Sequence, residues 1–153
     1  PDEAGTMALQ GGAGVGKVLQ VVNAFSAQAS NSTTTFVDTG LTATITPTSA
    51  ASKILVMVAH NGVSKNTGNV SNSVSIQLLR GATVLSLVGK LIGFDNQNQY
   101  NVGFYCGMDY LDSPGVTSAV TYKTQFANYV ASASVEVGAN SATSSITLME
   151  IAA

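Results

Sequence analysis

The chain has 153 residues, a formal net charge of −2 and only 9% charged residues, against about a quarter in an average soluble protein. This length predicts one domain that is large enough to bury a conventional hydrophobic core. Nucleic acids and anionic membranes attract basic surfaces, whereas the six lysines and arginines are scattered along the chain, so neither is an expected partner. We expect no membrane insertion, since no apolar run is long enough to span a bilayer.

The first segment of the chain, residues 1–16, is rich in glycine and has the period of neither a strand nor a helix. We therefore predict an N-terminal arm, or the end of a stalk, at 1–16 and a single head domain at 17–153. A start at Pro1 fits a piece of a longer fibre, and removal of an initiator methionine before proline would leave the same start.

A glycine-rich stretch at the end of the arm has the spacing of a phosphate-binding loop, with Gly11, Gly16 and Lys17 in register. Val18, however, stands where serine or threonine would bind magnesium, and an extended segment follows instead of a helix. Nucleotide binding is not expected here, and a flexible hinge is the preferred interpretation.

From residue 17 onward, short apolar segments alternate with turns rich in Gly, Pro, Asn and Ser. Alternation of apolar and polar residues is typical of strands with one buried face, and no segment has a helical period. The predicted strands are 17–25, 36–46, 53–60, 73–80, 83–88, 99–111, 117–126, 133–137 and 145–151, with polar loops at 61–72 and 92–98. This spacing predicts an all-β fold, an antiparallel β-sandwich of the jelly-roll type.

The cleanest alternation lies at 99–111, and it predicts a strand at the buried centre of a sheet. Tyr105 and Leu111 are apolar exceptions on the opposite face. The residues predicted to face the core are Tyr100, Val102, Phe104, Cys106, Met108 and Tyr110.

No combination of side chains predicts a catalytic or metal site. Cys106 is the single cysteine and lies on an apolar face, where a buried free thiol is expected. His60 is the single histidine and lies at the end of an apolar strand, where a half-buried hydrogen-bonding role is expected. Asp109 and Asp112 have an odd separation that places them on opposite faces, although a carboxylate pair formed with a distant strand stays open. Asp95 is one carboxylate in a polar loop, too few for calcium. We expect no enzyme activity and no cofactor.

Several stretches resemble bacteriophage virion proteins. Residues 1–9, PDEAGTMAL, resemble the segment that often closes the repetitive stalk of phage fibres. Residues 16–22 and 34–60 resemble the opening of a compact C-terminal module of such proteins, and 117–126 with 144–151 resemble its last strands. The resemblance implies a tumour-necrosis-factor-like jelly roll that trimerises about a three-fold axis, sits at fibre tips or on capsids and binds host-surface glycans or proteins. It implies no fixed functional residue.

A homotrimer is also expected on physical grounds. The segments 53–60 and 145–151 are apolar on both faces, so a lone sandwich would expose more contiguous apolar surface than a soluble monomer usually does. The residues predicted for the trimer interface are Leu55, Met57, Tyr105, Leu111, Met149 and Ile151.

Receptor contact, in turn, is predicted in the two polar loops, because loops on a rigid scaffold commonly carry binding residues. Aromatic rings beside amides suit sugar recognition, and solvated loops without a ligand are the alternative. The predicted contact residues are Lys65, Asn66, Asn69, Phe94, Asp95, Asn96, Gln97 and Tyr100.

Three functions follow from these patterns. The first is the trimeric tip of a phage tail or head fibre that binds the host cell surface, with the arm or stalk joined to other virion proteins. The second is a capsid decoration or cement protein whose arm lies on a neighbouring shell subunit. A depolymerase or other hydrolase is third. In the first two, the expected location is the surface of the phage particle.

Overall fold

The structure is a computed structural model that describes residues 16–67, 72–93, 103–131 and 133–153. The regular elements of this part of the chain are ten strands and one short 3-10 turn, Ala139–Ser141. The strands are β1 (Val18–Ser26), β2 (Ala29–Asn31), β3 (Val37–Ile45), β4 (Lys53–Thr67), β5 (Val74–Arg80), β6 (Thr83–Ile92), β7 (Phe104–Asp112), β8 (Val120–Asn128), β9 (Ser134–Val137) and β10 (Ser144–Ile151).

The strands pair as a set of nested antiparallel hairpins. β5 pairs with β6 at the inner turn, β4 with β7, β3 with β8, and β1 with β10 at the outside. Rolling this nested hairpin distributes the pairs over two sheets. The first sheet has the order β1-β10-β4, with β7 also on β4 and the short β9 and β2 at its end, and the second has the order β3-β8-β5-β6. This is jelly-roll topology, and it confirms the predicted fold class.

The core lies between the two sheets and follows from the alternation in the sequence. In β3, Leu41, Ala43 and Ile45 are buried while the threonines between them are exposed. They pack with Val56 of β4 and Leu148 of β10 from the facing sheet. Each fully buried aliphatic side chain of this kind contributes about 1.5–3 kcal/mol, so the inward faces hold the sandwich together.

β4 is longer than predicted, and the expectation of a loop from residue 61 is wrong. The strand continues to Thr67 after a bend at Gly62, which has φ +57. A Cβ at Gly62 would lie 2.6 Å from the carbonyl oxygen of Ala139, so only glycine permits this approach. Beyond the bend, Ser64 and Lys65 pair with β9 and are buried. The sheet is therefore extended by a polar segment.

β7 confirms one prediction and corrects another. Cys106 is buried, and Met108 and Tyr110 pack against the core, while Tyr105 and Leu111 point outward. Phe104, also predicted to face the core, is 39% exposed, and the predicted core residues 100 and 102 lie outside the described residues. Among the described residues, however, β7 pairs with β4 alone, so it is an edge strand and not the centre of a sheet. The centre of the first sheet is β4, which has β10 on one side and β7 on the other.

A buried ion pair joins the two sheets at the end of β7. The Asp112 carboxylate accepts hydrogen bonds from the Arg80 guanidinium at 2.8 and 3.0 Å and from the Tyr122 hydroxyl at 2.7 Å. Arg80 and Tyr122 belong to the second sheet and Asp112 to the first, so three strands meet at one carboxylate. This role explains why Asp112 is buried even though it ends an edge strand.

Candidate interaction surfaces

The outward side of the first sheet carries a row of apolar side chains that crosses four strands. Val21 of β1 lies opposite Met149 of β10, Met149 opposite Leu55 of β4, and Leu55 opposite Leu111 of β7. Strands in a sheet are about 4.8 Å apart, so the four side chains form one continuous line. Val21 is 55% exposed and Leu111 is 53% exposed. We call this surface the apolar face.

More apolar side chains extend the apolar face along the strands. Met57 follows Leu55 on β4, and the rings of Phe25 and Tyr105 are 68% and 69% exposed. Ile151, partly buried, lies opposite Lys53 at the other end of the sheet. The polar residues Asn23, Thr147 and Asp109 share the register row of Met57, between the central row and the rings. Single exposed apolar residues are ordinary on soluble proteins, whereas a continuous apolar row across four strands is typical of a surface that another molecule covers.

The outward side of the second sheet is different, because polar side chains there bond to one another. The Gln77 amide donates to Gln125 at 2.9 Å, and the Gln125 amide donates to the Asp38 carboxylate at 2.8 Å. Lys123 bonds the same carboxylate at 3.0 Å, and these bonds from Gln125 and Lys123 lower the pKa of Asp38. These polar side chains are hydrogen-bonded to one another, and the exposed apolar residues of this sheet, such as Val84 and Leu87, lie on its edge strand β6. We therefore expect self-association on the apolar face.

A cleft of about 300 Å³ opens at one end of the second sheet. Its most exposed apolar side chains are Leu87 and Tyr129, each about half exposed, and Lys90 supplies the single charge among the described residues that line it. The lining residues are Thr34, Phe36, Ser75, Leu87, Lys90, Ala127, Asn128 and Tyr129. We call this feature the Tyr129 cleft. Its volume is at the lower end of the range for small-molecule sites.

His60 lies between the sheets with no exposed surface. Its Nδ1 is 3.2 Å from the Ser144 hydroxyl and its Nε2 is 3.0 Å from the Thr124 hydroxyl, which in turn lies 2.6 Å from the hydroxyl of Thr39. Burial lowers the pKa of His60 to about 4. A neutral, enclosed imidazole bonded only to hydroxyls holds strands of both sheets together, and no substrate can reach it.

The other chemically reactive groups have structural partners as well. Cys106 is buried, its thiol is directed at the carbonyl of Val88 at 3.7 Å, and burial raises its pKa, which opposes thiolate formation. Asp109 and Asp112 are not a pair, because Asp112 is bonded to Arg80 and Tyr122 while Asp109 points outward. Over the described ranges, no group of three or more His, Cys, Asp or Glu residues could hold a metal ion.

Comparison with known proteins identifies no family for this chain. No protein-family model matches the chain, and no curated protein matches it. Among solved structures, the VP2 protein of infectious bursal disease virus in a subviral particle aligns with a TM-score of 0.48 at 11% identity, over 87% of this chain and 38% of that one. The structure of the Gx strain of the same virus aligns with a TM-score of 0.47 at 11% identity, over 88% and 37%. Scores this low establish neither a shared fold nor a shared function, and the chain spans well under half of either viral protein.

The residues predicted for a trimer interface lie together on the apolar face. Leu55, Met57, Tyr105, Leu111, Met149 and Ile151 all point outward from β4, β7 and β10. The sequence reasoning missed Val21 and Phe25, which complete the face on β1. Their alternation in 17–25 was visible, but β1 also has Val22 and Ala24 on its other side, packed against the core, so the pattern alone could not tell the inner face from the outer.

The residues predicted for receptor contact fall into two groups. Lys65 and Asn66 belong to β4 and not to a loop, and Lys65 is buried. Asn69, Phe94, Asp95, Asn96, Gln97 and Tyr100 lie outside the described residues, so receptor contact through them stays a prediction. The Tyr129 cleft was not predicted, because its lining comes from four separate parts of the chain. In the described residues, no helix is long and apolar enough to cross a membrane.

Proposed function

We propose that this chain is a non-enzymatic structural protein of a bacteriophage particle, whose jelly-roll heads associate as a trimer through the apolar face. The observation that carries the proposal is the row of Val21, Met149, Leu55 and Leu111 across the first sheet. Burying a row of this kind against copies of the same chain is the usual solution in a symmetric oligomer. The scarcity of charged residues supports the same reading, since charged side chains are depleted at the centre of interfaces.

We further propose that the trimer is the C-terminal tip of a tail or head fibre and binds the host cell surface. The resemblance of 1–9 to the end of a phage fibre stalk supports this, as does the resemblance of 16–22 and 34–60 to a C-terminal module of phage virion proteins. The backbone nitrogen of Gly16 donates to the carbonyl of Ala152 at 2.9 Å, so the point where the predicted arm joins the head lies beside the end of β10. A capsid decoration protein is the second candidate, since the same apolar face would serve assembly in a shell.

The trimer is tested by introducing a charge on each side of the sandwich. Sedimentation of the wild-type chain should give three times the 15.6 kDa subunit mass. V21E should weaken association more than about tenfold, because each interface would bury an unpaired carboxylate. V84E is the matched control, since Val84 is 51% exposed on an edge strand of the second sheet, and it should stay trimeric. A monomeric wild-type chain, or equal dissociation by both variants, would contradict the proposed interface.

Host binding is tested in the predicted 92–98 loop. Replacing Phe94 and Asn96 together by alanine should leave the trimer intact and reduce adsorption of the purified trimer to host cells by about tenfold, which is the effect of losing roughly 1.4 kcal/mol of contact. V84A serves as the control for an exposed alanine exchange elsewhere. Adsorption unchanged from the wild type would remove this loop from the receptor site, and a trimer that binds no cell at all would favour the decoration protein.

A further inference from the structure

Hydrogen bonds hold the backbone that forms the floor of the Tyr129 cleft. The backbone nitrogens of Asn128 and Tyr129 donate to the carbonyls of Thr33 and Ser73 at 3.0 Å. The Asn128 amide donates to the carbonyls of Asn31 and Ala133 at 3.0 and 2.8 Å. These bonds fix the chain below the cleft, so a ligand would not have to order it, and ordering costs are a large part of what weakens binding.

The cleft presents aromatic and hydroxyl groups together. Phe36 is half-buried, and the ring of Tyr129 is 51% exposed although its backbone is held in place. Thr34 and Ser75 also line the cleft, and neither hydroxyl has a hydrogen-bond partner among the described residues. Flat aromatic rings beside free hydroxyls match a sugar ring, which has an apolar face of C–H groups and a rim of hydroxyl groups.

The charge of the cleft selects among sugars. Lys90 is exposed at the cleft and makes no ion pair within the described part of the chain. No acidic side chain is among the described residues that line the cleft. An unpaired ammonium beside a mostly apolar surface favours a ligand with one negative charge. The cleft also opens on the second sheet, away from the apolar face, so trimer formation as proposed leaves it accessible.

We propose that the Tyr129 cleft binds a saccharide unit that carries a carboxylate, with the sugar ring on Tyr129 and Phe36 and the carboxylate at Lys90. This inference names a ligand class for the proposed host-surface contact and in that sense rests on it. The described residues that line the cleft include no carboxylate of the kind that most glycosidases use as acid, base or nucleophile, so we propose binding and not cleavage.

The test is calorimetric titration of the purified full chain with two pairs of oligosaccharides. Each pair has a uronic or nonulosonic acid in one member and the corresponding neutral sugar in the other. We expect the acidic member to bind at least about tenfold more tightly, and less tightly as salt is raised. K90Q should abolish the preference for the acidic member, and Y129A should weaken both members. K17Q, which removes an exposed lysine far from the cleft, should bind as the wild type does.

Equal affinity for acidic and neutral sugars, no binding to either, or wild-type affinity in both K90Q and Y129A would overturn the proposed ligand. Circular dichroism of each variant separates a lost contact from a lost fold. The same variants separate this proposal from the proposed function. If trimers carrying K90Q or Y129A adsorb to host cells as well as the wild type does, host binding stands and only the Tyr129 cleft is excluded as its site. An acidic peptide that binds better than the acidic sugars would also overturn it.

Discussion

Lowering the pH from 7 to 4 is expected to reduce the free energy of unfolding by about 3 kcal/mol through His60 alone. The imidazole has a pKa of about 4 in the folded chain and an ordinary value of 6.5 when exposed. Between these values the unfolded chain binds a proton that the folded chain does not, so stability rises with pH. The stability linked to the neutral imidazole of His60 is fully present above about pH 6.5 and is lost progressively as the pH falls to about 4.

The geometry explains why protonation is opposed. His60 is completely buried, and its hydrogen-bonding neighbours Ser144 and Thr124 offer hydroxyls and no carboxylate to balance a charge. A buried charge without an opposite partner is one of the largest single penalties in a protein interior. Since His60 is the single histidine in the chain, no other histidine contributes to the same window.

Urea denaturation at a series of pH values, at fixed protein concentration, measures this effect. H60Q should be less stable than the wild type at pH 7, because it loses part of the hydroxyl network, but its stability should change little between pH 6.5 and 4.5. A wild-type chain that is as stable at pH 4.5 as at pH 7 would contradict the prediction. If the free energy of unfolding changed with pH equally in the wild type and in H60Q, the pH dependence would belong to other groups.

E150Q is expected to destabilise the fold by about 2–4 kcal/mol. Glu150 is completely buried, and its carboxylate accepts hydrogen bonds from the Gln20 amide at 2.6 Å and from the backbone nitrogen and hydroxyl of Thr48 at 2.8 and 2.7 Å. Burial alone would raise its pKa, but these hydrogen bonds outweigh burial and lower the pKa to about 2. An amide in place of the carboxylate would point N–H groups at other donors.

Rotation of Gln20 could offer an oxygen to the new amide, but the Gln20 nitrogen also donates to the carbonyl of Thr46 at 2.7 Å, and that bond would be lost. The matched control is D38N, the same exchange at an exposed carboxylate outside the apolar face, where loss of a surface ion pair should change stability by less than about 1 kcal/mol. Thermal denaturation of both variants at pH 7 measures the difference. An E150Q chain as stable as D38N would show that the charge on Glu150 is dispensable.

The contributions of Glu150 and His60 to the free energy of unfolding are lost in different pH ranges. The stability contributed by Glu150 is present above its ordinary pKa of 4.5 and is lost as the pH falls to about 2, below most of the His60 window. Wild-type stability should therefore fall in two steps, the first absent in H60Q and the second absent in E150Q.

The sequence predicted the sandwich because its strands keep a strict two-residue period where they face the core. Leu41, Ala43 and Ile45 in β3 are buried as expected, and Tyr105 and Leu111 in β7 were correctly assigned to the outer side. The rest of β4 could not be found in this way. Its second half buries the polar residues Ser64 and Lys65 through pairing with β9, and buried polar residues leave no apolar period in the sequence of β4.

The surfaces were predictable to different degrees. Residues of the apolar face are recognisable where a strand is apolar on both sides, as with Leu55 and Met149. The Tyr129 cleft is not recognisable in this way, because Phe36, Leu87 and Tyr129 come together through the order β3-β8-β5-β6, which no local pattern encodes. His60 was expected to be half-buried, and its complete burial depends on Ser144 and Thr124, both more than sixty residues away.

The nested pairing of the strands also constrains how the protein is made. β1 has β10 as its partner in the first sheet, so β1 waits for a strand that is synthesised more than a hundred residues later before it can be placed. Among the strand pairs of the described residues, the β5–β6 hairpin closes the shortest loop, and pairings between distant segments form slowly. The apolar face does not exist until β10 has joined β1 to β4, and so association through this face is expected to follow the synthesis of β10.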